Sequence, residues 1–260
     1  MQKLINVSEA NLYKSPTYKS EVTTQALLGE VVDVLEVTDS FSLVKLNDSY
    51  QDWIDNQQLC DFRAFSETTV TIRSHVVRIH IEPNLTSQTI RDVTIGRNLP
   101  VADQNDNWIQ IVLPDGLKGW IEKAHVGKFP PFSRENLVRQ AMEFIGYPYF
   151  WGGKTPKGLD CSGFCQLVFS LLGKDIPRDS WMQHRDAQFV SHDYLAAKPG
   201  DLYFFGVSAE KIDHVGIALG GGRIIHGNGM IRINSLKEGE PDFKQRLIQK
   251  FVAVKTFFDT

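Results

Sequence analysis

The N-terminal half of this chain repeats itself, and the repeat leaves few folds open. Pro16 returns as Pro83, Ser20 as Ser87, Gly29 as Gly96, Val34 as Val101, Leu46 as Leu113, Trp53 as Trp120 and Ile54 as Ile121, always at one constant offset and without a gap. Phe41 and Trp108 form an aromatic pair at the same offset. Between these markers lie short β-rich runs such as Val31-Val32-Asp33-Val34-Leu35 and Trp108-Ile109-Gln110-Ile111-Val112-Leu113. Turn residues punctuate them, notably Asn47-Asp48-Ser49 and Pro114-Asp115-Gly116. Several short strands in each unit of about 60 residues predict two small β-barrels in series.

Each unit opens on Leu/Ile-x-x-x-Pro, continues through Gly-x-x-Val and aromatic-x-x-Val, and closes on Gly/Asp-Trp-Ile. This pattern resembles the bacterial SH3-like domain over residues 1–62 and 68–128. Domains of that family bind cell-wall material or pack on a catalytic domain, whereas Trp53, Trp120 and the glycines can equally serve only to close the barrels. The 28 basic residues against 31 acidic ones, without a basic cluster, argue against a nucleic-acid partner. No stretch approaches the ~20 apolar residues of a membrane span, and Met1–Glu9 holds no apolar core suited to a signal peptide. Three cysteines are too few for a disulfide framework, so the expected setting is a reducing cytoplasm.

Lys128-Phe129-Pro130-Pro131-Phe132 reads as a stiff linker. Beyond it, Ser133 can cap a helix running to Ile145, stopped by Gly146, with Leu137, Val138, Ala141, Phe144 and Ile145 as its buried stripe. A second helix follows Asp160 and ends at Gly173, with Phe164, Leu167, Val168, Leu171 and Leu172 at helical spacing. Lys198-Pro199-Gly200-Asp201 turns into a strand, two further strands flank Gly220-Gly221-Gly222, and a last β-rich run spans Ile248 to Phe257. Helices first and an antiparallel sheet after them predict an α+β domain.

Cys161 falls in the first turn of the second helix, where unpaired N–H groups and the positive dipole end favour a thiolate. Thiol attack on a carbonyl also needs a base and a group that orients it. His214 opens one strand and His226 closes its neighbour across the glycine hairpin, so the two are candidates for those roles. A thiolate–imidazolium pair predicts a bell-shaped pH profile. Cys165, one turn past Cys161, reads as core, as does Cys60. Asp160 is at least a helix N-cap, and Ser180 can cap the segment after Arg178.

Tyr149-Phe150-Trp151-Gly152-Gly153, Asp160-Cys161-Ser162-Gly163-Phe164, Pro177-Arg178-Asp179-Ser180, Pro199-Gly200-Asp201-Leu202 and His214-Val215-Gly216-Ile217 stand in the order of the NlpC family of papain-like cysteine peptidases. The resemblance covers about residues 133–257. It implies a multi-domain chain: two small all-β SH3-like barrels, residues 1–62 and 63–128, followed by an α+β papain-like (NlpC) catalytic domain, residues 129–260. It also implies Cys161 as nucleophile, His214 as base and acid, His226 as orienter, and the Tyr149 hydroxyl with the Cys161 N–H as oxyanion donors. No cofactor and no metal are implied.

Two SH3-like domains ahead of such a domain further resemble the γ-D-glutamyl-L-diamino acid endopeptidases of the YkfC type. Those enzymes cut free murein tri- and tetrapeptides that begin L-Ala-γ-D-Glu. By that resemblance Asp160 meets the substrate's ammonium, and the hydroxyls of Ser162 and Ser180, beside Asp179, hold the D-Glu carboxylate. Tyr50 and a glutamate, Glu9 or Glu21, would then complete the amine pocket. The alternative is an exported D,L-endopeptidase that works on intact peptidoglycan and uses the SH3-like domains as wall anchors.

Overall fold

The computed structural model describes residues 1–64 and 68–259 and divides into two compact units, Met1–Phe129 and Pro130–Thr260. The first unit holds two sheets. One contains β1 (Gln2–Ile5), β2 (Glu9–Tyr13), β3 (Val22–Leu27), β4 (Val31–Val37), β5 (Phe41–Lys45), β6 (Gln51–Asp55) and β7 (Leu59–Asp61), in the order β3-β2-β6-β5-β4-β1-β7. The other contains β8 (Thr69–Thr71), β9 (Val76–His80), β10 (Thr89–Thr94), β11 (Asn98–Gln104), β12 (Trp108–Val112) and β13 (Lys118–Glu122), in the order β10-β9-β13-β12-β11-β8. Matched at the offset of the sequence repeat, the second order reproduces the first, with the isolated Ile72–Val126 bridge standing where Ile5 pairs with Leu59. Trp53 opposite Tyr13 and Trp120 opposite His80 join β6 to β2 and β13 to β9, so each tryptophan sits where its sheet closes.

The repeats are joined more tightly than two independent barrels would be. Leu28, from the first repeat, is buried in the core of the second beside Ile72, Val77 and Ile109. Arg97 donates to the Leu28 carbonyl at 3.1 Å and to Glu30 at 3.0 Å. Glu30 and Arg97 are themselves equivalent positions, so the duplication has placed opposite charges where the copies meet. Cys60 is only half-buried in β7 and does not belong to either core.

In the second unit α1 (Arg134–Met142), the short hairpin β14 (Lys154–Thr155) and β15 (Gly158–Leu159), α2 (Cys161–Leu171) and α3 (Ser180–Asp186) come first. Then follow β16 (Gln188–Ser191), β17 (Leu202–Ser208), β18 (Lys211–Gly220), β19 (Arg223–Asn228), β20 (Met230–Ser235), α4 (Gln245–Lys250) and β21 (Phe251–Thr256). The six strands form one antiparallel sheet, β16-β21-β17-β18-β19-β20, against which α2 packs. Phe164, Cys165, Val168 and Phe169 of α2 are fully buried, as their spacing requires. No helix among the described residues is long and apolar enough to cross a membrane.

Two boundaries differ from expectation. Ser133 caps α1 through the Asn136 N–H, but the helix ends at Met142; Ile145 falls in the turn beyond it and is exposed rather than buried. The expected strand from Ile248 starts only at Phe251, because Gln245–Lys250 first winds into α4.

Candidate functional site

The site is built where the start of α2 meets β18 and β19. Asp160 is the N-cap, its Oδ1 accepting from the Gly163 N–H at 2.6 Å. The Gly152-Gly153 loop lies tight against this turn: Gly152 N–H donates to Asp160 Oδ2 at 2.9 Å, and a Cβ on Gly163 would lie 2.2 Å from the Gly153 oxygen. Glycines at 153 and 163 are therefore set by close approach, whereas Phe150 and Trp151 just before them project to the surface.

Cys161 is buried, and the nearby backbone N–H groups of Ser162 and Val215 favour negative charge on its sulfur. The second of these lies on β18, one residue past His214. His214 Nε2 lies 2.7 Å from His226 Nδ1, and His226 Nε2 lies 3.1 Å from Asn234 Oδ1. The pairing of Ile217 with Ile225 puts His226 across from Gly216, so the two histidines meet diagonally rather than face to face. That geometry needs Gly216, where a Cβ would lie 2.7 Å from the His226 Cβ.

The tautomers follow from the far end of this chain. Asn234 Nδ2 donates to the Asp242 carbonyl at 2.9 Å, which turns Oδ1 toward His226. His226 Nε2 must then carry the proton and His226 Nδ1 the lone pair. That lone pair accepts from His214 Nε2–H, and the free lone pair of His214 is left on Nδ1. Sequence reasoning did not single out Asn234. It sits on β20, two residues beyond Arg232, the partner of His226, a relation that exists only once the strands pair.

Burial decides the charges. It pushes the Cys161 thiol up to about 12, the Asp160 charge adding to the effect while the Val215 N–H opposes it. It pushes His214 down to about 3, helped by His226 and by Lys250, and His226 down to about 4, against the pull of Asn234. Burial thus opposes the thiolate that the helix start favours, an effect of ~0.3–2 kcal/mol at a helix terminus. Transfer of a proton from the thiol to an imidazole as attack proceeds would leave a pair with no net charge, which burial tolerates better than a lone thiolate.

Both histidines bind protons more weakly folded than unfolded, so the unfolded chain takes up protons first as pH falls. Their contribution to stability is complete above about pH 6.5 and is lost as pH falls through about 4 and 3. The expected result is a urea midpoint for the second unit that drops steadily between pH 6.5 and 4, with about two protons taken up on unfolding. A midpoint flat over that range would show that the pair is solvated.

Arg178 is the other residue that sequence reasoning quoted without a role. Its side chain is 1% exposed and grips Asp160 with both terminal nitrogens, Nη2 to Oδ2 at 2.6 Å and Nη1 to Oδ1 at 3.1 Å. Nη1 also donates to Ser162 Oγ at 3.0 Å, and Ser162 in turn donates to Asp160 at 3.3 Å. Asp160 and Ser162, expected to face substrate, are therefore held first by the protein's own groups. A substrate ammonium can meet the charge of Asp160 but finds no oxygen without a donor.

Asp179 occupies the N-cap position of α3 without a side-chain cap bond, and Ser180 is the first helical residue rather than the cap. Tyr149 is half-buried, its hydroxyl pushed up by burial and by the nearby Cys161 and Asp160. Tyr50 belongs to the first unit, where it packs on the core around Val44 and Ile54. Glu21 of that unit pairs with Lys14. Among the described residues no group of three or more His, Cys, Asp or Glu side chains is placed to hold a metal.

Comparison with known proteins bears on both units. Residues 146–251 match the profile of the NlpC/P60 family, and residues 12–59 match that of the bacterial dipeptidyl-peptidase SH3 domain. The γ-D-glutamyl-L-lysine dipeptidyl-peptidase of Bacillus cereus is 29% identical over 81% of this chain and 68% of its own length. Dipeptidyl-peptidase 6 of Lysinibacillus sphaericus is 27% identical over 99% of this chain and all of its own. A crystal structure of an NlpC/P60 family protein from Bacillus cereus superposes over 100% of both chains with a TM-score of 0.85 at 23% identity.

Proposed function

Because the chain belongs to the NlpC/P60 family of cysteine peptidases and carries a bacterial dipeptidyl-peptidase SH3 domain ahead of that domain, we propose that it hydrolyses the γ-D-Glu–L-diamino acid bond of murein peptides with a free N-terminal L-Ala. The observation that carries this reading is the buried Cys161 at the start of α2, near the N–H of Val215, together with the run of hydrogen bonds from His214, the residue before Val215, through His226 to Asn234. Cys161 attacks the γ-carbonyl while His214 takes its proton through Nδ1. The tetrahedral oxyanion faces the Tyr149 hydroxyl and the Cys161 N–H. His214 then protonates the departing amine, leaving a thioester that water, deprotonated by the same imidazole, resolves to L-Ala-γ-D-Glu.

The reading extends to the parts around this centre. In this reading Asp160 supplies the negative charge for the substrate ammonium and Ser180, with Asp179 beside it, is assigned to the D-Glu carboxylate, while Ser162 and Arg178 hold Asp160 in place. The shared strand order of the two N-terminal sheets supports a second SH3-like domain, dividing the chain into residues 1–62, 63–128 and 129–260. Three unpaired cysteines suit a cytoplasmic role in recycling released peptides.

The test compares L-Ala-γ-D-Glu-L-Lys with the same peptide acetylated at its N-terminus. The free amine is expected to be cut about 100-fold faster, the effect of losing one charge-assisted contact in a desolvated pocket. Equal cleavage of both would defeat the dipeptidyl reading and favour an endopeptidase acting on intact peptidoglycan.

A further inference from the structure

The second N-terminal repeat carries a cleft of about 270 Å³ whose walls include His80, Leu85, Trp108 and Glu122. The first repeat shows what such a cleft holds. The equivalent positions there are Tyr13, Tyr18, Phe41 and Asp55. Tyr13 and Phe41 meet edge-on, 6.0 Å apart at 89°, and His80 and Trp108 repeat that arrangement at 5.9 Å and 85°. In the first repeat the Tyr18 ring rests on this pair, 5.8 Å from Tyr13 and 5.0 Å from Phe41, and its hydroxyl donates to Asp55. In the second repeat the occupant's position is Leu85, whose side chain is 66% exposed and has neither ring nor hydroxyl. The cradle is kept and its phenol is gone.

A second observation points the same way. His80 is only 6% exposed, and its Nδ1 is engaged with the Ser87 carbonyl at 3.2 Å. This contact holds the ring in place and leaves the lone pair on Nε2. An aromatic wall and the Glu122 carboxylate, which lies 3.4 Å from His125 Nε2 at the side of the cleft, together suit a flat ring that brings a hydroxyl proton.

We propose that this cleft binds the side chain of an exposed tyrosine on a partner polypeptide, its ring against Trp108 and His80 and its hydroxyl on Glu122, as Tyr18 does within the first repeat. The site lies wholly in the second repeat and does not depend on the catalytic reading.

The test is a titration of the isotope-labelled full chain with Gly-Tyr-Gly, following the Trp108 indole N–H, assigned through Trp108→Phe. A saturable shift with Kd on the order of 1 mM is expected, typical of one side chain in a small cleft. Gly-Phe-Gly should bind about 5-fold more weakly for want of one hydrogen bond, and Glu122→Ala should erase that difference. Leu85→Tyr, a change at an exposed loop position, should abolish the shift by filling the cradle from within, with the rest of the spectrum unchanged. The proposal fails if Gly-Tyr-Gly gives no saturable shift, or if Leu85→Tyr leaves the shift intact. It also fails if N-acetylglucosamine oligomers bind more tightly than the tyrosine peptide, which would assign the cleft to a sugar.

Discussion

Replacing Cys161 by alanine is expected to lower kcat on L-Ala-γ-D-Glu-L-Lys by about 10⁴-fold or more while leaving peptide binding within a few-fold of the parent. In the proposed reading the thiol is the nucleophile, since the neighbouring Ser162 hydroxyl is already tied to Asp160 and Arg178. The loss should be confined to chemistry, because alanine keeps the helix start and the Asp160 cap intact. Single-turnover assays of thioester formation, with calorimetry of the unreacted peptide, separate the two quantities. Residual turnover within about 100-fold of the parent would mean that another nucleophile serves, and the assignment of Cys161 would fall. Serine at the same position is a harsher probe than it looks: the oxygen nucleophile must give up its proton to a His214 that burial has made a weak base.

Arg178→Met is expected to destabilise the second unit by about 3–5 kcal/mol, the usual consequence of stranding one member of a buried ion pair. Asp160 would keep the backbone donors from Gly152 and Gly163 but lose the cation that offsets its charge. The double variant Asp160→Asn/Arg178→Met should recover most of that loss, since asparagine still caps α2 and carries no charge to be offset. Urea unfolding followed through the second unit's tryptophans measures both, and the cycle isolates the pair from the packing of each side chain. A cost below about 1 kcal/mol for Arg178→Met would show a solvent-screened pair, and the account of how Asp160 is held would fail. Activity should fall with Arg178→Met even where the protein remains folded, because the Pro177–Ser180 segment is tied to the nucleophile's helix through this contact.

The two predictions draw on different layers of information. Cys161 was legible because its surroundings are local: a capping aspartate before it, apolar residues at helical spacing after it, and a glycine to stop the helix. His214 and His226 were legible as a pair across three glycines, but they lie inside β18 and β19 rather than at strand ends, because β18 already starts at Lys211 and β19 runs on to Asn228; register made their meeting diagonal and required Gly216. Arg178 was visible only as part of a motif. An arginine is expected at the surface from its chemistry alone, and nothing near it in the chain shows that α2 would close over it.

The duplication behaves in the same way. The ungapped repeat settled that the two N-terminal sheets would share one strand order, because alternation and turn positions are read from neighbours in the chain. It did not show that Leu28 would enter the other copy's core, nor that Tyr18 would cover an aromatic pair left open in the second repeat.

By itself, then, the order of residues determined most of the elements and their repeat and marked Cys161 as the candidate nucleophile, all of which depend on interactions within a turn or a hairpin. Only the tertiary structure decided which charges are buried, and with them the Asp160–Arg178 pair, the Asn234 end of the histidine chain and the burial that opposes charge on the thiol and the imidazole. The reason is physical: desolvation and hydrogen-bond completion are set by whatever packs around a group. At this site those neighbours come from other elements, reached only when the chain folds back on itself.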